Sequence, residues 1–304
     1  MAANILNGKE IAEDILNEVS GKATDLKESG WEPKLLSIKV GENPAVDLYV
    51  RNQSLKAEQA GISFEEKKYT KDISVDELQA SIANFNVDPR VTGIILQRPV
   101  PETIPVKSLQ KAIHPLKDVE GMHPASIGNI VYNELELGPC TAMASVELLR
   151  RTGQDLKGLE AVVIGHSEIV GKPIAFLLLA EGATVTVCHH MTKDVAVHSR
   201  NADAVFVAVG KPRLITGEML KAGSTLIDIA INRVTDYEGK SRIVGDSDFE
   251  SCAEVAGWIT PVPGGVGPVT VSCLMRNTVA AAERLKAHYQ AQFQYSSGLP
   301  LGHF

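Results

Sequence analysis

The sequence predicts an α/β protein of two lobes, one of them Rossmann-like. Three observations carry that reading. The chain has 304 residues, 44% of them hydrophobic, enough to bury a sizeable core and intermediate between one large domain and two ordinary ones. Four apolar, β-rich runs lie between Ala161 and Ile229 and alternate with helical stretches, the spacing of a parallel sheet covered on both faces. The first of these runs leads directly into a glycine turn, Gly165 to Gly171, and then into a helical stretch, an arrangement that suits nucleotide phosphates.

The elements follow in order. Residues 11–27 are amphipathic and predict a helix. Residues 34–40 read as a strand and residues 41–44 as the turn after it. A helix over residues 45–60 should follow, because Pro44 suits a helix start and Gly61 a left-handed stop. Residues 91–96, bounded by Pro89 and Pro99, read as a buried strand. Residues 161–164, 184–188, 204–209 and 225–229 supply the Rossmann-like strands, residues 274–290 a helix, and residues 295–300 an irregular end. The expected division puts residues 1–143 and 273–304 in one α/β lobe and residues 144–272 in the Rossmann-like lobe.

Composition narrows the function. With 37 acidic and 30 basic residues the formal charge is -7, which disfavours nucleic acid or an anionic membrane as the main partner. No apolar run approaches the roughly 20 residues of a membrane span, and the start lacks the layout of a secretion signal, so a cytoplasmic location is expected. Cys140, Cys188, Cys252 and Cys273 form no C-x-x-C pair, so reduced, mostly buried thiols are expected and no metal site.

Three constellations could carry chemistry. The first is the turn Gly165-His166-Ser167-Glu168-Ile169-Val170-Gly171, although it is not G-x-G-x-x-G and also fits an ordinary tight strand-to-helix turn. The next strand ends in Cys188-His189-His190 with no acid before Asp194 to bind ribose hydroxyls, which favours NADP, with NAD as the alternative, although two histidines in a loop fit a solvated surface as well as a phosphate contact. The second is Thr260 to Thr270, whose prolines and glycines make a rigid, open backbone suited to a flat ligand or to a connection between lobes. The third comprises Tyr49, Lys56, Gln97, Asp118 and Glu120, each of which taken singly fits a solvated surface residue.

Together these segments resemble the methylenetetrahydrofolate dehydrogenase/cyclohydrolase family (FolD). The strings that carry the likeness are Val40-Gly41-Glu42-Asn43-Pro44-Ala45, Gly93-Ile94-Ile95-Leu96-Gln97, Lys117-Asp118-Val119, Pro139-Cys140-Thr141, Val163-Ile164-Gly165, Ile169 to Pro173, and Thr260 to Pro268. The resemblance implies a folate-binding catalytic lobe, a dinucleotide lobe, a cleft between them and a homodimer. It places tetrahydrofolate derivatives near Val46, Tyr49, Gln97, Asp118, Glu120, Pro263, Gly264 and Gly265. It places the dinucleotide near Gly165, His166, Ser167, Ile169, Val170, His190, Ala208, Val209, Gly210, Ile231, Gly267 and Thr270.

The catalytic positions implied are Tyr49, Gln53, Gln97 and Glu120, and here the sequence departs from the family. Its pattern Y-x-x-x-K puts a tyrosine and a lysine one helical turn apart, but the residue four after Tyr49 is Gln53, whose amide cannot titrate. Val46 replaces a serine, Glu120 an aspartate and Ala142 a proline, and Arg98 and His166 also depart. Lys56, seven residues after Tyr49, is a candidate substitute for the lysine. The expectation is a dehydrogenase with weak or absent cyclohydrolase activity. The bifunctional enzyme and a non-catalytic folate- or nucleotide-binding relative are the alternatives, the last disfavoured because both glycine-rich segments are kept.

Overall fold

The computed structural model describes residues 2–135, 137–235 and 239–297. The chain begins with β1 (Asn4–Ile5), α1 (Gly8–Glu28), β2 (Lys34–Val40), α2 (Pro44–Gln59), β3 (Ser63–Tyr69), α3 (Val75–Val87), β4 (Gly93–Leu96), α4 (Val106–Ala112) and α5 (Pro124–Val131). It continues with α6 (Cys140–Arg150), β5 (Glu160–Ile164), α7 (Gly171–Ala180), β6 (Thr184–Cys188), α8 (Val195–Ser199), β7 (Ala204–Val207) and β8 (Thr225–Asp228). It ends with β9 (Asn232–Thr235), β10 (Ser241–Val244), α9 (Phe249–Ala253), β11 (Trp258–Ile259) and α10 (Val266–Ser297).

Among the described residues, 16–126 and 274–297 pack as one unit around a small parallel sheet of order β3-β2-β4. The central strand β2 is almost wholly buried, with Leu36 and Ile38 packed on Leu78 and Ile82 of α3 and on Ile94 and Leu96 of β4. The edge strand β3, Ser-Phe-Glu-Glu-Lys-Lys-Tyr, carries charges that discourage further pairing. Asn43 caps α2 by accepting from Ala45 N and Val46 N, Pro44 sits in its first turn, and Gly61 beyond its end has φ 71°. The buried Lys117 donates to the Phe85 and Asp88 carbonyls at the end of α3, where a cation also suits the helix dipole. Burial lowers the pKa of this amine to about 8.

Met1–Ile15 and Ile127–Cys273 form the other unit around a six-stranded sheet of order β1-β11-β8-β7-β5-β6, parallel at every pairing. After β5 the chain adds β6 on one side and returns with β7 on the other. That reversal is a topological switch point, and α/β sheets bind ligands outside the carboxyl ends of strands there. In the small sheet, β2 likewise lies between β3 and β4.

This packing differs in three places from the sequence expectation. Residues up to Ile15 group with the large sheet, where β1 pairs with β11 through Asn4↔Trp258 and Ile5↔Ile259, and the described residues of 127–143 pack in the same unit. Of the segment 260–270, expected as a rigid, open backbone, the second half is helical: Gly265 N donates to the Pro261 carbonyl, Gly264 has φ 112°, and α10 starts at Val266. Pro268 falls in the first turn of α10, where a missing N–H costs nothing. The same helix continues to Ser297, so residues 295–297 are helical rather than irregular, while 298–300 lie outside the described residues. All four cysteines are buried and none is in a disulfide, as expected.

Candidate functional site

At the switch point of the large sheet, Gly165 follows β5 with φ 115°. A Cβ there would stand 2.4 Å from the Ala208 carbonyl oxygen, and one at Gly171 would stand 1.9 Å from the Gly165 oxygen. Only glycine fits either position. Ser167 holds the turn: its Oγ accepts from Val170 N and its carbonyl from Lys172 N. His166 is exposed, and Ile169 and Val170 are half-buried beside the start of α7. Val209 and Ile231 are large apolar side chains left exposed beyond the carboxyl ends of β7 and β8.

Two aspartates absent from the sequence expectation build this rim. The fully buried Asp246 carboxylate accepts from Val209 N (2.6 Å), Gly210 N (3.0 Å), Lys211 N (2.6 Å) and Asn232 Nδ2 (2.9 Å). Asp228, at the end of β8, accepts from Asp246 N, Ser247 N and Ser247 Oγ. Burial pushes the Asp228 carboxyl up, with the Ser247 and Asp246 hydrogen bonds pulling back. The only sequence signal for this pair was a carboxylate ending an apolar strand, which is costly unless bonded. Nearby in the same unit, Gly8 N donates to the Gly264 carbonyl, and a Cβ on Gly8 would stand 1.8 Å from the Gly265 oxygen. Pro263 is exposed, Gly265 buried, Gly267 open to solvent, and Thr270 Oγ1 is spent on the Val266 carbonyl.

In the small-sheet unit, a second group gathers at the carboxyl end of β4. Gln97 Nε2 donates to Ser37 Oγ of β2 (3.0 Å) and to Gln53 Oε1 of α2 (2.8 Å), all three side chains being buried. Gln53 Nε2 is buried with no acceptor among the described residues. Leaving such a donor unpaired costs about 1–3 kcal/mol, so the position suits a ligand oxygen. Tyr49, one turn earlier on α2, is partly exposed, and Val46 is buried. Lys56 Nζ donates instead to Gln59 Oε1 (2.9 Å), towards the end of the helix.

Asp118 is buried, and its Oδ2 accepts from His123 N and Ser126 Oγ, both at 2.7 Å, which fixes the loop into α5. Glu120 Oε1 accepts from Arg98 Nη2 at 2.9 Å. Burial raises the Glu120 carboxyl above its ordinary range, the Arg98 guanidinium opposes the rise and the Asp118 carboxylate adds to it. Sequence reasoning had singled out Arg98 and Glu120 separately; only the structure pairs them.

The sequence model of the tetrahydrofolate dehydrogenase/cyclohydrolase catalytic domain matches residues 6–120, and that of the same family's NAD(P)-binding domain matches residues 139–286. The chain belongs to the tetrahydrofolate dehydrogenase/cyclohydrolase family. It is 63% identical over 288 residues to "Bifunctional protein FolD 2" of Mesorhizobium japonicum, covering 95% of this chain and 94% of that protein. The crystal structure of the bifunctional FolD of Campylobacter jejuni superposes with a TM-score of 0.89 at 40% identity, covering 93% of this chain and 99% of that one. The Trypanosoma brucei FolD, solved with NADP cofactor and an inhibitor, gives a TM-score of 0.88 at 34% identity, covering 93% and 98%.

Within the family frame, the glycine cradle at Gly165 and Gly171 lies in the NAD(P)-binding match, and Tyr49, Gln53, Gln97 and Glu120 lie in the catalytic match. Close approach of the protein's own backbone requires the glycines at 165 and 171, and the turn they shape lies at the switch point, where α/β sheets bind ligands. Arg98 and Glu120, each expected from sequence to differ from the family's residue, form one ion pair.

Proposed function

We propose that this chain oxidises 5,10-methylenetetrahydrofolate to the 5,10-methenyl compound with NADP or NAD, and that it also hydrolyses the methenyl product. The observation that carries the folate half is the buried Gln53–Gln97–Ser37 set with its unanswered Nε2 donor. The relatives' printed names support adding hydrolysis, against the specialised dehydrogenase expected from sequence. A cytoplasmic, homodimeric enzyme accompanies this reading, and no described helix is long and apolar enough to cross a membrane.

When bound, the nicotinamide ring supplies a hydride acceptor. The folate nitrogen's lone pair assists departure of hydride, so the protein orients the folate and excludes water rather than taking a proton. Gln97 and Gln53 do this with amides locked by Ser37, and Tyr49 offers the exposed edge of α2. Gly165 and Gly171 give the dinucleotide its backbone surface, and Asp246 fixes the Val209–Gly210 turn beside it.

Hydrolysis of the methenyl cation needs a group that moves a proton from water. Gln53 cannot titrate. Glu120, whose carboxyl is raised by burial, fits that task better than Lys56, which is turned to Gln59. A second reading, dehydrogenation without hydrolysis, is favoured by Gln53 alone.

Two assays test these readings. Reduction of NADP or NAD by the purified protein given methylenetetrahydrofolate tests the first activity; no reduction of either dinucleotide rejects the enzyme. Loss of the methenyl chromophore, followed in a buffer that does not itself catalyse it, tests the second. The proposal predicts hydrolysis by the unaltered protein that Glu120→Gln abolishes and Lys56→Ala leaves in place. Hydrolysis that appears only in Gln53→Lys, rising about 10²- to 10⁴-fold, would establish the second reading instead.

A further inference from the structure

Beyond the cradle, three imidazoles meet at the carboxyl ends of β5 and β6. The ring centroids of His166 and His189 lie 4.8 Å apart, those of His166 and His190 5.9 Å, and those of His189 and His190 5.8 Å. His166 and His190 are exposed, and His189 is half-buried with its Nδ1 accepting from Met191 N. The end of the second strand of a Rossmann unit is where an adenosine ribose is read: a carboxylate there binds the 2′-hydroxyl, and a cation accommodates a 2′-phosphate. Here the strand ends in imidazoles, the one side chain whose unperturbed charge changes between pH 5 and 8.

We propose that this histidine cluster reads the 2′-phosphate of NADP by taking up protons, so that discrimination between NADP and NAD is set by pH. The inference rests on the dinucleotide reading above. Imidazolium rings this close repel one another unless a counter-charge lies between them. A phosphate dianion supplies the missing counter-charge and favours the imidazolium forms, so its binding draws protons in.

Fixed charges do not set the sign. Glu168 and Lys172 flank His166, Lys193 and Asp194 follow His190, and Lys211 stands beyond β7 with His198 on α8. Acids and lysines nearly balance, and Asp194 is occupied in capping α8 through Ala196 N. The charge that varies is therefore histidine charge. The linkage has one direction: affinity for the 2′-phosphate is full at low pH and is lost as pH rises through the ligand-bound titration of the cluster. Each proton taken up changes affinity about tenfold per pH unit within that window. The phosphate's own second ionisation, near pH 6, works the other way and limits the gain at the acid end.

The test is calorimetric titration of the whole protein with 2′,5′-ADP and, as control, 5′-AMP, at pH 6.5 and 8.5. Buffers of different ionisation enthalpy count the protons. The proposal expects 2′,5′-ADP to bind about tenfold or more tighter at pH 6.5 with net proton uptake, and 5′-AMP to change less than about twofold. The ratio of kcat/KM for NADP to that for NAD should fall over the same range. In His166→Gln/His190→Gln, both surface changes, the tightening at pH 6.5 and the net proton uptake should be lost. A pH-independent 2′,5′-ADP affinity without proton uptake overturns the proposal while leaving the dinucleotide reading intact. Failure of both nucleotides to bind at either pH overturns that reading as well.

Discussion

Gly165→Ala is expected to weaken dinucleotide binding by about 10²-fold, close to 2.7 kcal/mol. The added Cβ would stand 2.4 Å from the Ala208 oxygen and 3.1 Å from its carbonyl carbon, both backbone atoms, at a φ of 115°. Neither the strand end at Ile164 nor the Asp246-tethered turn after Ala208 can yield without the other moving. The backbone strain adds about 1–3 kcal/mol of instability. Gly223→Ala separates strain from displacement, since Gly223 has φ 80° and nothing within 4 Å of an added Cβ. Titration with NADP should show the loss in Gly165→Ala and near-unaltered affinity in Gly223→Ala. Equal affinities in the two variants would mean that the cradle does not shape the dinucleotide site.

Gln97→Leu is expected to lower kcat/KM for methylenetetrahydrofolate by about 10²-fold or more, a scale of about 2.7 kcal/mol in transition-state stabilisation. One nitrogen of Gln97 serves both Ser37 Oγ and Gln53 Oε1, so leucine strands two buried groups. The folding cost should be about 2–6 kcal/mol, from about 1–3 kcal/mol for each of the two unpaired groups. Gln53→Leu and Gln97→Leu should be strongly non-additive, because either change already breaks the shared bond. A denaturant series on the two single variants and the double variant checks the stability terms, and steady-state rates check the catalytic one. Additive losses would show that the two amides act independently.

What was legible in the sequence was what burial writes into periodicity. Strand β2 was expected over residues 34–40 and lies at Lys34–Val40, since Leu36, Ile38 and Val40 alternate onto one face and pack in the core. Strand β3 passed unnoticed: as a charged edge strand, its Glu65, Glu66, Lys67 and Lys68 carry no apolar alternation. The short β1 and β11 were too brief for any period, so their pairing could not be read from the sequence. Gln53 was legible as a departure in charge, but its bond to Gln97 and its unpartnered donor were not, because they arise from strands and helices meeting in space. The same holds for Arg98 with Glu120, twenty-odd residues apart, and for Asp246, whose acceptors' partners lie on a turn far earlier in the chain.

The most direct test of hydride transfer follows the hydrogen itself. Tetrahydrofolate carrying a deuterated methylene group is incubated with the protein and NADP, or NAD in a parallel sample, and the reduced dinucleotide is weighed by mass spectrometry. The account predicts one deuterium gained per dinucleotide reduced. Absence of reduction, or reduced dinucleotide without the label, would contradict it.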